Sequence, residues 1–348
     1  LYFISSRYLL PTSLVLLTLS VDFPEIKKLG SKAIIMFCTG TIGIIAGGPL
    51  SVLIVSKLSP SLIHDLNMSE VGNGLVTIAG SWIGGGANQA AMKEIFNVQN
   101  DIFSIMIAVD VIIANIWMAI LLYGVGINKN IDELLGADSS AINKLKRKVE
   151  EYRVQIARIP TTVDTIKIIS VGFGITSIAH MGSDIITPLI LTNAPSLAKF
   201  SLTSSFFWLI VISSSIAVLI SFTSLRHLEG VGASSMGNIF IYILVATIGM
   251  KMNIASIFEN SGLFIIGFIW MTFHALLLMA VAKLIKAPFF FIAVGSQANV
   301  GGAASAPIVA SAFHPSLAPV GVLLAVFGYA IGTYGAWICG IFIQNMLS

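Results

Sequence analysis

Charge is scarce in this chain. Lys, Arg, Asp and Glu make up 10% of the 348 residues, where a soluble domain carries about 25%. So little charge excludes a surface that meets water on most sides. The formal net charge is only +3, and the basic residues gather in loops. That excludes an extended basic face for nucleic acid and suits membrane orientation instead. Cysteine is nearly absent: Cys38 and Cys339 lie far apart in apolar runs. They offer no disulfide framework and no metal-ligand spacing, and read as buried or lipid-facing side chains. No phosphate-binding GxxxxGK[ST], HExxH, CxxC or nucleophile elbow occurs. An ATP-driven pump or a membrane hydrolase therefore has no support, and the chain reads as something other than an enzyme. No basic n-region with a cleavage site opens it.

What the chain has is apolar length. It is 56% hydrophobic with a mean hydropathy of +0.94. The apolar stretches are continuous runs, without the alternation of barrel strands, so the class is an all-α polytopic membrane protein. The runs are Tyr8 to Val21 (cut by Pro11), Ser31 to Val55, Gly72 to about Phe96, Asp101 to Val125, Ile166 to Leu191, Ser204 to Phe222, Asn238 to Met250, Ile257 to Ile285, Pro288 to Ala312 and Leu317 to Met346. His180, Asp184 and Pro188 interrupt the run from Ile166.

One phrase occurs twice. Gly80-Ser81-Trp82-Ile83-Gly84-Gly85-Gly86-Ala87-Asn88-Gln89 is matched by Gly295-Ser296-Gln297-Ala298-Asn299-Val300-Gly301-Gly302-Ala303-Ala304-Ser305. Backbone leaves helical geometry at membrane depth only where protein or a watery cavity covers it. Two such interruptions in corresponding places point to a transporter's binding site. Small residues also let helices pack closely, but packing leaves the Ser, Gln and Asn of both copies unexplained. The candidate solute-binding set is Ser81, Gly84, Gly85, Gly86, Asn88, Gln89, Ser296, Gln297, Asn299, Gly301, Gly302 and Ser305. Free N–H groups at a helix break favour anions and free carbonyls favour cations.

The units around the two copies correspond. Two runs precede each phrase and one long run follows it. This divides the chain into a first repeat over 1–126, a polar linker over 127–164 expected in the cytoplasm, and a second repeat over 165–348. Basic residues place the Lys27, Lys28 and Lys32 loop, the linker, Arg226, Lys283 and Lys286 inside. The two repeats then run in opposite senses, a frequent build of secondary transporters. Two runs within 166–222 have no counterpart in the first half, which leads us to expect further helices before Leu1. If the first phrase crossed the membrane fully, the linker would fall outside, so either the phrase is a re-entrant hairpin, which is the expectation, or 166–191 does not cross and the linker lies outside.

Asp110 is the sharpest single residue. It lies about 13 Å into its run at 1.5 Å per residue, and an intramembrane carboxylate is costly without a purpose. It is expected to bind Na⁺ or carry a proton with Asn88 and Asn299 as neutral partners, or else to pair structurally with a neighbouring helix. No other cofactor or metal is expected. Asp184 and His180 share a helix face and read as interfacial, Glu229 as a helix cap, and His274 as a packed histidine. Tyr329, Thr333 and Tyr334 of GYAIGTYGA line the second phrase or pack beside it.

The residues GSWIGGGAN, the Asp110 run, GSQANVGGAASAPIVA and GVLLAVFGYAIGTYGAW resemble the YjcL-like integral membrane family, a domain of unknown function (819). That family is placed in the superfamily of cation–proton antiporters and anion transporters, with bile-acid symporters among its relatives. The resemblance implies two inverted bundles with crossed broken helices and a core that moves against a scaffold. Homodimers are frequent in such families. Asp110 follows a broken helix as the antiporters' ion-binding acid does, but Val111 stands where many of them have a second polar or acidic residue. The expected function is ion-coupled transport of a small, anionic organic solute by an elevator mechanism in a bacterial inner membrane. A monovalent cation/proton antiporter and a non-transporting receptor or scaffold are the alternatives.

Overall fold

The computed structural model describes residues 1–19, 26, 27, 29–58, 67–137, 142, 159–200, 202–250, 261–314 and 317–347. Among these the regular structure is helical throughout. The helices are α1 (Tyr2–Leu19), α2 (Ser31–Leu58), α3 (Met68–Ile95), α4 (Asn100–Gly126), α5 (Asn128–Leu135), α6 (Thr162–Asn193), α7 (Ser205–Ser221), α8 (Ala233–Gly249), α9 (Ser261–Ile285), α10 (Phe289–Val300), α11 (Gly302–Phe313) and α12 (Ala318–Leu347). Six of them are long and apolar enough to cross a membrane. A seventh span results if α7 is counted together with the 3₁₀ segment Ser224–Val231, which meets it at 96°. Lys28, the loop residues His64 and Asp65, and the linker charges at 144–158 lie outside the described residues.

Several boundaries differ from the sequence expectation. Helix α1 begins at Tyr2 rather than near Tyr8, because Pro11 interrupts the hydrogen-bond ladder without ending the helix. Proline lacks the N–H that the carbonyl four residues back would accept. Here the preceding turn, Ser5–Leu9, is a π turn. The Arg7 carbonyl takes a hydrogen bond from His180 Nε2 at 3.0 Å, while the imidazole stacks on Tyr8 with centroids 5.1 Å apart. His180 therefore serves α1, while Asp184 on the same helix is exposed. Helix α6 is continuous across His180, Asp184 and Pro188. It opens on a capping box in which Thr161 and Asp164 each bond the other's backbone N–H. Glu229 caps α8, accepting from the Ser234 N–H at 3.0 Å and the Ser234 hydroxyl at 2.6 Å.

The helices pack in two groups. Helix α1 sits among α6, α7 and α8, while α3 lies along α12, α2 along α9, and α10 against α2 and α12. Helix α1, from the first half of the sequence, thus packs with helices of the second. The glycine-rich helices are enclosed by α2, α4, α9 and α12. Every side chain of α10 is buried, Ser296 to Val300 included.

Candidate functional site: two facing helix breaks

Both glycine phrases are broken helices. In α3 the break falls at Gly85, with φ 75° and ψ −175°, a conformation essentially confined to glycine. In the second copy Gly301 separates α10 from α11, and Gly302 takes φ 58°. The first break turns the chain sharply. A Cβ built on Gly80 would lie 2.7 Å from the carbonyl oxygen of Asn88, although eight residues of straight helix span about 12 Å. The two breaks also face one another: a Cβ on Gly302 would lie 3.9 Å from the Gly85 Cα.

The glycines divide by what a side chain would meet. At Gly84 a Cβ would strike the Asn88 amide and, at 2.8 Å, the Gly332 Cα, which is close helix packing. At Gly301 it would strike Ser305 Oγ and Gln297 Nε2. At Gly86 it would meet open space, and Gly86 is exposed. Packing therefore explains Gly84, conformation explains Gly85 and Gly302, and neither accounts for Gly86.

The polar residues of the first phrase are drawn into Asp110, which is 6% exposed. Its Oδ1 accepts from Trp82 Nε1 at 2.7 Å and its Oδ2 from Gln89 Nε2 at 3.0 Å, with the Ser81 hydroxyl close beside them. A carboxylate is an acceptor only, with about four lone-pair positions, so it can take both donors at once and has room for the hydroxyl. Ser81 and Trp82 precede the break and Gln89 follows it. Asp110 on α4 thus pins both limbs of α3. Asn88 bonds back to the Gly84 carbonyl at 2.8 Å and accepts from Thr333 at 2.6 Å.

The second phrase is clasped in the same manner. Asn299 bonds back to the Gly295 carbonyl at 3.0 Å, donates to the Phe37 carbonyl at 2.9 Å and accepts from Thr41 at 2.8 Å. Gln297 Nε2, before the break, donates to Ser305 Oγ, after it, at 2.7 Å. Ser296 ties four helices together. The Gly40 carbonyl only accepts, so His274 Nδ1 donates to it at 3.0 Å. His274 Nε2 is left to accept the Ser296 hydroxyl at 2.7 Å, and Ser296 Oγ accepts from Trp117 Nε1 at 2.7 Å. His274 is fully buried and is a packed, hydrogen-bonded residue.

Most of the expected solute-binding polar groups therefore spend their hydrogen bonds inside the protein. Ser81, Asn88, Gln89, Ser296 and Asn299 hold the breaks in shape. Asp110 bonds the first phrase while Asn88 and Asn299 direct their hydrogen bonds elsewhere, so no hydrogen bond joins the three residues expected to bind the ion. Among the described residues, no group of three His, Cys, Asp or Glu could hold a metal ion. Gln297 is the exception among the polar residues: it is 1% exposed and its Oε1 has no partner. Tyr334 serves neither break and bonds Ser215 at 2.7 Å.

Sequence reasoning missed Trp82, Trp117, Thr41 and Lys93. Trp117 stands two helical turns after Asp110 on the same helix face, a spacing that would have flagged it. Thr41 belongs to Thr39-Gly40-Thr41, a small polar cluster inside an apolar run. Lys93, 6% exposed, donates to Tyr2 at 2.8 Å and lies 3.7 Å from Glu94, while the Tyr2 hydroxyl donates to Glu94.

Comparison with known proteins places the chain without supplying an activity. The family described as "Protein of unknown function (DUF819)" matches residues 1–346. The uncharacterized membrane protein YjcL of Bacillus subtilis (strain 168) is 23% identical over 360 residues, covering 98% of this chain and 82% of the relative. No solved structure matches.

Proposed function

We propose that this chain, which belongs to the DUF819 family of multi-pass membrane proteins, is an ion-coupled secondary transporter of a small organic anion in a bacterial inner membrane. The observation that carries the proposal is the meeting of two glycine breaks, Gly85 and Gly302, inside apolar helices. A helix that only spans or packs has no use for glycine-only backbone, whereas a half-helix end presents bare N–H groups and carbonyls to a ligand. The matching clasps on Asn88 and Asn299 support two repeats of inverted topology. The packing groups support an elevator, with the bundle that holds both breaks moving against α1, α6, α7 and α8.

Asp110 supports Na⁺ or H⁺ as the coupling ion, because it is the buried carboxylate that touches both limbs of a break. The same residue favours a cation/proton antiporter as the second reading. The deciding experiment is flux in proteoliposomes under an imposed Na⁺ or pH gradient, with a panel of small carboxylates. Carboxylate uptake that follows the gradient supports symport. Proton release on adding Na⁺, with no organic solute present, supports antiport. Binding without flux under any gradient would leave a receptor or scaffold.

A further inference from the structure

Gln297 is placed oddly for a structural residue. Ser296 and Asn299 beside it have their side-chain groups bonded within the protein, yet Gln297 Oε1 is buried and without a partner. An orphaned buried acceptor costs stability, so a position that keeps one calls for a function. Other partnerless buried oxygens among the described residues, those of Ser13, Thr18, Thr187 and Ser214, lie in α1, α6 and α7, none of which carries a break. Gln297 stands at the break itself, where its amide nitrogen bonds Ser305 in the first turn of α11.

That helix end carries no side-chain cap. Gly301 at its N-cap has no side chain to bond the first N–H groups, and a helix N-terminus favours an anion. The Tyr329 hydroxyl lies beside the Ala303 backbone N–H, and a phenolic hydroxyl has a proton of its own to donate. The Tyr329 ring would lie 3.5 Å from a Cβ on Gly85, so it spans the gap between the breaks. Opposite, Gly86 borders open space.

We propose that the second break binds a small carboxylate that also carries a hydrogen-bond donor, a 2-hydroxy acid or an amino acid. The carboxylate would sit on the α11 N-terminus and the Tyr329 hydroxyl, and the hydroxyl or amino group would donate to Gln297 Oε1. The assignment rests on the break being the solute site of a transporter, and it goes further by naming what the solute must present.

The test is calorimetric titration of the purified full chain with propionate, lactate, alanine and lactamide. These ligands are close in size and differ in the donor or the charge. Lactate or alanine should bind, propionate about tenfold or more weakly, since it leaves Oε1 unpaired, and lactamide not at all. Gln297→Leu should abolish the preference over propionate. Tyr329→Phe should weaken all carboxylates together and keep the preference, which separates a lost donor site from a misfolded protein. Equal affinity for propionate and lactate would overturn the proposal. Gradient-driven flux of some other solute, with none of the four binding, would overturn it while sparing the transporter. Lactate binding that discriminates against propionate, without flux of any solute, would uphold the site and remove the transporter.

Discussion

Gly85 and Gly302 face each other where two broken helices meet, the Cα of one 3.9 Å from where the other would carry a Cβ. Each holds a positive φ, 75° and 58°. Gly86, one residue along, has open space where a Cβ would go. Gly85→Ala should therefore cost about 1–3 kcal/mol of backbone strain, while Gly86→Ala stays close to wild type. Thermal unfolding in detergent measures both. An unchanged melting temperature for Gly85→Ala would show that the break tolerates ordinary backbone.

Asp110 holds both limbs of α3. Replacing it with Asn presents an amide N–H₂ to the Trp82 and Gln89 donors and leaves at least one of them unpaired. Asp110→Asn should lower stability by about 1–3 kcal/mol and change the environment of Trp82, visible in tryptophan fluorescence. It should also abolish coupled transport. Na⁺ and pH dependence of flux identical to wild type would take Asp110 out of the coupling mechanism and leave it a structural clasp.

The line from Trp117 through Ser296 and His274 to the Gly40 carbonyl joins α4, α10, α9 and α2. Ser296→Ala leaves Trp117 Nε1 and His274 Nε2 without partners, a loss of roughly 1–3 kcal/mol. His274→Phe removes one of those orphans. The double variant should be less destabilised than the sum of the two singles, as contacting residues in one network are expected to behave. Strict additivity in denaturant unfolding would mean that the residues do not act as one line.

Pro11 and His180 make a separable pair. Pro11→Ala restores a backbone N–H near the Arg7 carbonyl, and that carbonyl no longer depends on His180. His180→Phe keeps the ring on Tyr8 but loses the donor. It should cost about 1 kcal/mol with Pro11 in place and clearly less in the Pro11→Ala background. A double-mutant cycle with no coupling would break the link between the proline and the histidine.

Much of this was legible in one dimension. Continuous apolar runs specify transmembrane helices because lipid offers no partner for an open backbone, and α2, α4 and α12 lie close to where hydropathy put them. The glycine phrases announced their own interruptions, since few other residues adopt the angles of Gly85 and Gly302. Glu229 was readable as a cap because capping is local, acting here over five residues. Helix α1 was misjudged at its start because the carbonyl freed by Pro11 finds its donor 173 residues away.

The sequence by itself determined the class, the helix positions and the two points of breakage, because membrane solvation and backbone sterics act on consecutive residues. Only the tertiary structure decided which polar groups the protein itself leaves unbonded. Hydrogen bonds link whatever side chains the packing brings within reach. Thr41, Asp110, Trp117, His274 and Thr333 come from four helices outside both phrases, and they consume most of the polarity of the two. Gln297 Oε1 is left without a partner, and no pattern of residue types distinguishes that glutamine from Gln89.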